Sequence, residues 1–240
     1  MAELHNLSQV RALLDGSWRA DMAAEAALAA APFPCLMADI ESMSLHAGNA
    51  FLISLGLIPF RLTPAKPLFG TPTLLVFDVM EQLLSTRHID EGTRKFWRDQ
   101  PQKARDHFTN PDYVGFGGVR PQHCALADLA FAIDTVLRAR CEPKAEIYSQ
   151  GIAFDLSNLS AAMTDAGHKA PWQYWAATDA RTLRRKLPKR RTAPKLDIAG
   201  APHDPVFDCV KQIWGLWEVA TDEMLGLEAL PNSDIYKARA

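Results

Sequence analysis

The sequence predicts a mainly α fold: a compact helical domain with at most a small β element, a basic arm and a C-terminal amphipathic helix. Two stretches with apolar residues at helical spacing, 124–140 and 206–230, are the main support for this prediction. An alanine-rich run within residues 7–31 adds a third helix, because alanine has the highest helix propensity and Pro32 then ends the run.

Shorter helices are predicted between these stretches. Thr71 can cap a helix with Pro72 at its first position, where the missing N–H costs nothing. Two more helices are expected over residues 90–100 and 157–167. These segments complete a helical core and leave little of the chain for strands.

β structure is predicted in few places. Residues 148–156 alternate apolar with other side chains, which is typical of a strand. The apolar segment 35–60 is ambiguous between a short strand and a helix turned against the core. The organisation that follows is a helical core domain over 1–170, an aromatic and basic segment over 171–200, and a docking helix over 201–240.

The charge distribution is the clearest functional signal. The net charge of the 240 residues is −2, yet residues 181–195 (RTLRRKLPKRRTAPK) carry eight positive charges and no acid. The other residues hold 18 basic against 28 acidic side chains, so they sum to −10. Such an asymmetry indicates a polyanionic partner or an acidic surface of the protein itself.

Arginines outnumber lysines in this segment, and a planar guanidinium suits bidentate contact with phosphate. The aromatic run PWQYW lies just upstream, as expected where bases stack beside a cationic track. We expect Trp172, at a helix start, to be the more exposed of its two tryptophans. The sequence therefore predicts DNA or RNA binding, mostly through phosphates, by ten residues: Arg181, Arg184, Arg185, Lys186, Lys189, Arg190, Arg191, Lys195, Trp172 and Trp175.

Other classes of function stay open. The apolar face over 206–227 could mediate a homodimer or an adaptor contact, and the basic segment could bind an acidic protein, link two parts or serve as a nuclear address. An enzyme is the least favoured class, since there is no P-loop, HExxH, GxSxG or dinucleotide-binding GxGxxG. A catalytic or metal site assembled from distant residues would leave no such local signal.

No cofactor and no metal are predicted. The four cysteines are widely separated, and the seven histidines show no ligand spacing on one predicted helix. Scattered cysteines are typical of reduced core residues, so we expect a cytoplasmic protein. The chain has no apolar run of about 18 residues, so no membrane span is expected.

Overall fold

The computed structural model shows a mixed α/β fold, so the predicted mainly α fold is wrong. The structure describes residues 27, 28, 30–193 and 202–225. The chain divides into two compact units, residues 1–32 and 33–240, and the fold described below belongs to the second. Most of the helix predicted over 7–31 lies outside the described residues, as does the end of the helix predicted over 206–230.

The described strands form one mixed sheet with the order β5-β4-β2-β1-β6-β7, and β3 also pairs with β2. β2 runs antiparallel to β1, β3 and β4, whereas β1 and β6, β6 and β7, and β4 and β5 are parallel pairs. The bounds are β1 (Phe33–Ser42), β2 (Leu52–Leu62), β3 (Pro67–Phe69), β4 (Thr73–Phe77), β5 (Pro121–Cys124), β6 (Cys141–Ser149) and β7 (Ala177–Asp179).

Helices cover both faces of this sheet. The helices predicted over 90–100, 124–140 and 206–230 are confirmed, with shorter bounds, as α2, α4 and α7. The helix predicted over 157–167 is confirmed as α5, which begins and ends two residues earlier. None of the helices in the described part of the chain is long and apolar enough to cross a membrane. The bounds are α1 (Val79–Leu83), α2 (Glu91–Asp99), α3 (Gln102–Thr109), α4 (Leu129–Arg140), α5 (Asp155–Asp165), α6 (Ala180–Lys186) and α7 (Pro205–Val219).

Two hydrophobic cores lie on opposite faces of the sheet. On one face α4 and α5 pack against the even-numbered side chains of β1, among them Leu36 and Ala38. On the other face α6 and α7 pack against Met37 of β1 and Ile58 and Phe60 of β2. Burial on both faces is the arrangement of a three-layer α/β domain, and it leaves little of the central strands β1 and β2 in contact with water.

This double burial explains why the strands were missed. Every residue of β2 except Arg61 is buried, so the segment is a continuous apolar run without the alternation that marks a half-exposed strand. The helix predicted after Thr71 is wrong for the same reason, because the buried run Thr73–Phe77 is strand β4. A helix begins only at α1, where the Asp78 carboxylate caps it.

Candidate active site

Two acidic side chains lie side by side on the central strand β1. Asp39 and Glu41 are two residues apart, so both project from the face that carries α7. The register places Asp39 opposite Gly56 and Glu41 opposite Ser54 of β2. An acidic pair in the middle of an apolar sheet is costly to bury, which is typical of a functional site rather than of a packing role.

The start of α7 is held close above this pair. Gly56 has no side chain, and a β-carbon there would lie 2.5 Å from the Pro205 carbonyl carbon and 2.7 Å from the Val206 nitrogen. The buried Asp204 caps the helix, since its Oδ1 accepts from the backbone N–H of Val206 at 2.8 Å and of Phe207 at 3.1 Å. The close approach therefore fixes where the side chains of α7 meet the sheet.

α7 adds further polar groups to the site. Asp208 lies one turn from the helix start, where Glu41, His203 and Asp208 each offer a ligand atom within 4.8 Å of the others. Gln212, one turn further on, donates from Nε2 to Asp39 Oδ1 at 2.6 Å. The Lys211 ammonium forms an ion pair with Asp208. A cationic group already occupies part of the acidic cluster, which indicates that the cluster attracts positive charge.

Asp155 brings a fourth carboxylate from a different element. It is the first residue of α5, and it is buried. Burial raises the pKa of its carboxyl to about 7, although the Ser149 hydroxyl and the Arg181 guanidinium lower it in part. Asp155 contributes to the raised pKa values of both Asp39 and Glu41, so its charge acts on this acidic pair.

Burial and mutual repulsion dominate the electrostatics of this cluster. Burial raises the pKa of Asp39 well above its ordinary value, and the carboxylates of Asp155 and Asp208 raise it further. Burial also raises the pKa of Glu41, and Asp39 and Asp208 are the carboxylates that raise it most. Carboxylates crowded in this manner are stabilised by a bound cation, because it offsets both the burial and the repulsion.

The cluster fits a hard divalent cation such as Mg²⁺ or Mn²⁺. Glu41, His203 and Asp208 offer ligand atoms within 4.8 Å of one another, and the carboxylates of Asp39 and Asp155 interact electrostatically with this group. Sets of donors rich in oxygen favour these ions over softer metals. The sequence-based prediction of no metal site rested on local spacing, whereas the observed residues come from β1, α5 and α7. We call the four carboxylates together with His203 the acidic site.

His203 completes the acidic site in a strained conformation. Its φ of 61° lies in the left-handed region, which is uncommon for a residue other than glycine. Its Nδ1 lies 3.9 Å from Glu41 Oε1. The rings of Phe96 and Trp97 hold the imidazole edge-on, with centroid distances of 5.0 and 5.8 Å. The surrounding structure therefore aims this imidazole at the carboxylates.

A cleft of about 400 Å³ opens beside the acidic site. Glu41 and His203 line its polar side, and Leu45, Phe96 and Phe154 provide apolar walls. Leu45 is 80% exposed and Phe96 is 39% exposed, so these walls are open to a ligand from solution. The cleft combines a charged end with flat apolar surfaces, which suits a ligand that has both a phosphate and a planar ring.

The basic residues predicted from the sequence lie at the surface near this site. Arg181, Arg184, Arg185 and Lys186 are exposed along α6, and Lys189 and Arg190 are exposed just beyond it. Arg191 is partly buried, since it donates to the Ala220 carbonyl oxygen at 2.7 Å and lies over the Trp217 ring. Lys195 lies outside the described residues.

The two tryptophans of the predicted binding segment have the opposite exposure to that expected. Trp172 is partly buried and packs against the core that contains α4 and α5. Trp175 is 68% exposed and makes an edge-on contact with Tyr174, which is 86% exposed. The expectation that Trp172 is the more exposed was wrong because no helix runs from it into α6; a turn at Tyr174–Ala176 and strand β7 intervene.

None of the residues of the acidic site was predicted from the sequence. A signal was present in Asp39 and Glu41, whose spacing of two puts both on one side of a strand. That signal could be used only if residues 33–42 were recognised as a strand, and the segment was ambiguous. Asp155 and Asp208 gave no local signal, because they meet β1 only through the tertiary fold.

Tyr113 supports the capping residue of α7, and its removal should lower stability. Its hydroxyl donates to Asp204 Oδ2. We expect Tyr113→Phe to lower the free energy of unfolding by about 1–3 kcal/mol, because a buried carboxylate oxygen loses its donor. Urea denaturation measures the change. Tyr174→Phe is the control, since that hydroxyl is exposed, and equal effects of the two substitutions would contradict the role of Tyr113.

A mixed sheet covered by helices on both faces, with an acidic site on its central strand, defines an α/β protein with a candidate cation site. The chain belongs to the 3'-5' exoribonuclease Rv2179c-like domain family, whose pattern matches residues 35–220. Membership in this family supports the prediction that the protein binds nucleic acid. No comparison supports the predicted homodimer or protein partner, and no curated protein sequence matches the chain.

Solved structures share the fold. The zinc-bound form of the complex of E. coli ExoI with ssDNA is 14% identical, covers 79% of this chain and gives a TM-score of 0.51. E. coli Exonuclease I in complex with a dA16 oligonucleotide is also 14% identical, covers 80% of this chain and gives 0.51. This chain spans 40% and 42% of the two matched chains. At this identity, the likeness establishes the mixed α/β fold alone.

Proposed function

We propose that this protein is a divalent-cation-dependent 3'-5' exonuclease that hydrolyses the phosphodiester bonds of RNA. The observation that carries the proposal is the convergence of Asp39, Glu41, Asp155 and Asp208 beside His203. The description of the family supports the direction of hydrolysis and RNA as the substrate. The solved neighbours hold single-stranded DNA, which supports a single-stranded substrate.

The four carboxylates would hold the cation. Bound there, it would supply positive charge that neutralises the carboxylates and stabilises the charge developing on the phosphate. Gln212 fixes Asp39 by its hydrogen bond, and the Gly56 contact fixes the start of α7. These residues keep the donors in place before substrate binds, so little reorganisation is needed during the reaction.

His203 is positioned to act as a general base. An imidazole can accept a proton at neutral pH, and this one lies beside the carboxylates and at the wall of the cleft. In the proposed reaction water attacks phosphorus, a ring nitrogen of His203 takes the water proton, and the bond from phosphorus to the 3'-oxygen breaks. The leaving oxygen takes up a proton, and a nucleoside 5'-monophosphate is released.

The cleft is suited to the terminal nucleotide of a strand. Its volume of about 400 Å³ fits one nucleotide, and Phe96 and Phe154 offer flat surfaces for a base. A single small cleft beside the acidic site favours removal of end nucleotides one at a time over cleavage within a strand.

The test uses a 15-nucleotide single-stranded RNA with a 5' label, incubated with the purified protein and Mg²⁺ or Mn²⁺. We expect a ladder of products that shortens from the 3' end and disappears with EDTA. The matched control is the same RNA with a 3'-terminal phosphate, and a DNA strand of equal sequence measures the preference for RNA. Cleavage that survives EDTA, internal cleavage only, or no hydrolysis with either cation would refute the proposal.

A further inference from the structure

A second cavity lies between α6 and α7, away from the cleft. It has a volume of about 350 Å³, and four cationic side chains line it: Arg181, Arg184, Arg185 and Lys189. The one acidic side chain in its lining is Glu218, which pairs with Lys189 at 2.7 Å. The cavity therefore carries excess positive charge, and we call it the basic groove.

Arg184 is seated in the basic groove by a specific arrangement. Its guanidinium lies against the backbone of Gly215, where a β-carbon would be 2.5 Å from Nε and 2.6 Å from Cζ. Its Nη1 also donates to Gln150 Oε1 at 2.8 Å. Glycine inside a helix is unfavourable relative to alanine, so Gly215 is best explained by the space that it leaves for Arg184. A guanidinium fixed in this way is preorganised to bind an anion.

Arg181 connects the basic groove to the acidic site. Its Nη2 and Asp155 Oδ2 both lie close to Gly151, because a β-carbon at Gly151 would be 3.8 Å from each atom. The Arg181 charge also lowers the pKa of Asp155. A strand that leaves the acidic site along α6 would therefore pass directly from carboxylates to cationic side chains.

The other basic residues of the segment that the structure describes do not line the groove. Lys186 and Arg190 lie outside the cavity lining, and Arg191 is engaged with the Ala220 carbonyl oxygen. Four of the seven described basic residues of the segment thus face one cavity. The residues that line the groove are expected to contact a ligand directly, and the others are expected to contribute only to the electrostatic field around the protein.

We propose that the basic groove binds phosphate groups of the RNA strand on the 5' side of the bond that is cleaved. This inference rests on the proposed function, because a 3'-5' exonuclease removes the 3' nucleotide and keeps the rest of the strand on the 5' side. Arginine guanidinium groups bind phosphate in a bidentate manner. Phosphate contacts position the strand without reading its sequence, so the groove holds RNA of any sequence.

The test measures binding without hydrolysis. A fluorescent 12-nucleotide RNA is titrated with the full chain in EDTA, and anisotropy is recorded at several salt concentrations. We expect the double variant Arg184→Gln and Arg185→Gln to bind at least tenfold more weakly. Its slope of log affinity against log salt should be smaller by about 1.4, since each charge lost from a single-strand contact contributes about 0.7.

Two further variants test whether RNA binding depends on the basic groove or only on the overall positive charge of the protein. Arg138→Gln combined with Lys144→Gln removes the same charge from exposed positions outside the groove lining and should bind as the parent does. Gly215→Ala keeps the charge but displaces the Arg184 guanidinium, and should weaken binding about three- to tenfold. The displaced group is the end of a flexible side chain, so the helix should remain intact, which circular dichroism can check.

Three results would overturn the proposal: unchanged affinity in the Arg184/Arg185 variant, an equal loss in the Arg138/Lys144 variant, or binding of inorganic phosphate as tight as that of RNA. The last result would identify a small-anion site instead of a strand path. Binding in EDTA does not depend on hydrolysis. A failure of the nuclease assay with the expected binding losses would therefore refute the enzyme and retain the groove as an RNA contact.

Discussion

Asp39→Asn is expected to abolish hydrolysis while making the cation-free protein more stable. Asp39 lies at the centre of the acidic site, beside Asp155 and Asp208 and in contact with Gln212. An amide has nearly the shape of the carboxylate but lacks its negative charge, so it holds a divalent cation poorly. We expect kcat to fall by about a thousandfold, within the range seen when an electrostatic group of an active site is removed.

The stability of the same variant should change in the opposite direction. A carboxyl whose pKa is raised in the folded protein binds its proton more tightly there than in the unfolded chain. Its stabilising contribution is present below its ordinary pKa near 4 and is lost as the pH rises through the raised value. Asp39 and Glu41 are raised, and Asp155 is raised to about 7. The cation-free protein should therefore lose stability from about pH 4 to at least pH 7.

Asparagine at position 39 removes one of the negative charges that repel one another in the acidic site. At pH 8 in EDTA we expect Asp39→Asn to raise the free energy of unfolding by about 1–3 kcal/mol, and near pH 4 we expect no difference from the parent. Urea denaturation at the two pH values gives the comparison. Asp112→Asn is the control, since Asp112 is exposed and lies outside the acidic site. Destabilisation by Asp39→Asn at pH 8 would show that the carboxylates are not crowded.

The opposite signs of these two effects follow from how the site is built. The fold holds these carboxylates closer together than their charges favour, and a bound cation would reduce their repulsion. In the proposed function, the same repulsion favours cation binding and lowers the stability of the cation-free fold. A variant that is more stable and inactive would be direct support for this balance.

The sequence predicted the half-exposed helices and missed the buried strands. α2 and α4 each present one face to water, so their apolar residues recur at helical spacing. β2 is enclosed on both faces by α4, α5 and α7, and its sequence therefore has no period to detect. Helices were predicted from apolar residues at helical spacing, which α7 keeps although most of its residues are buried, and the sheet between the helices was not predicted.

The acidic site could not be predicted from short stretches of sequence, for a related physical reason. Asp39 and Asp208 are separated by more than half of the chain, and they meet only because α7 packs on β1 and β2. The charge of residues 181–195 was visible because it is contiguous in sequence. Its division into a groove-lining half and a remainder depends on Gly215 and Gln150, which come from other elements. Functional groups that are adjacent in the sequence can be predicted from it, whereas a site formed by distant residues can be recognised only in the folded structure.

Gly56→Ala should lower activity by disturbing α7 without touching any polar group of the site. The new β-carbon would meet the backbone of Pro205 and Val206 at 2.5–2.7 Å, and backbone cannot move aside as a flexible side chain can. The start of α7 must then shift away from β2, and it carries Asp208 and adjoins His203. A displacement of about 1 Å at catalytic groups can reduce the rate about a hundredfold, and we expect a fall in kcat of this size.

The accompanying loss of stability should be about 1–3 kcal/mol, typical of overpacking in a buried contact. Gly167→Ala is the matched control, because its φ of 80° disfavours alanine while an added β-carbon meets nothing within 4 Å. It should cost about 1 kcal/mol through the backbone alone and leave kcat unchanged. Both kcat and the free energy of unfolding are measured for the two variants. This comparison shows whether Gly56→Ala lowers activity by displacing the site or only by destabilising the fold. Full activity in Gly56→Ala would mean that the contact of α7 with β2 does not set the position of Asp208 and His203.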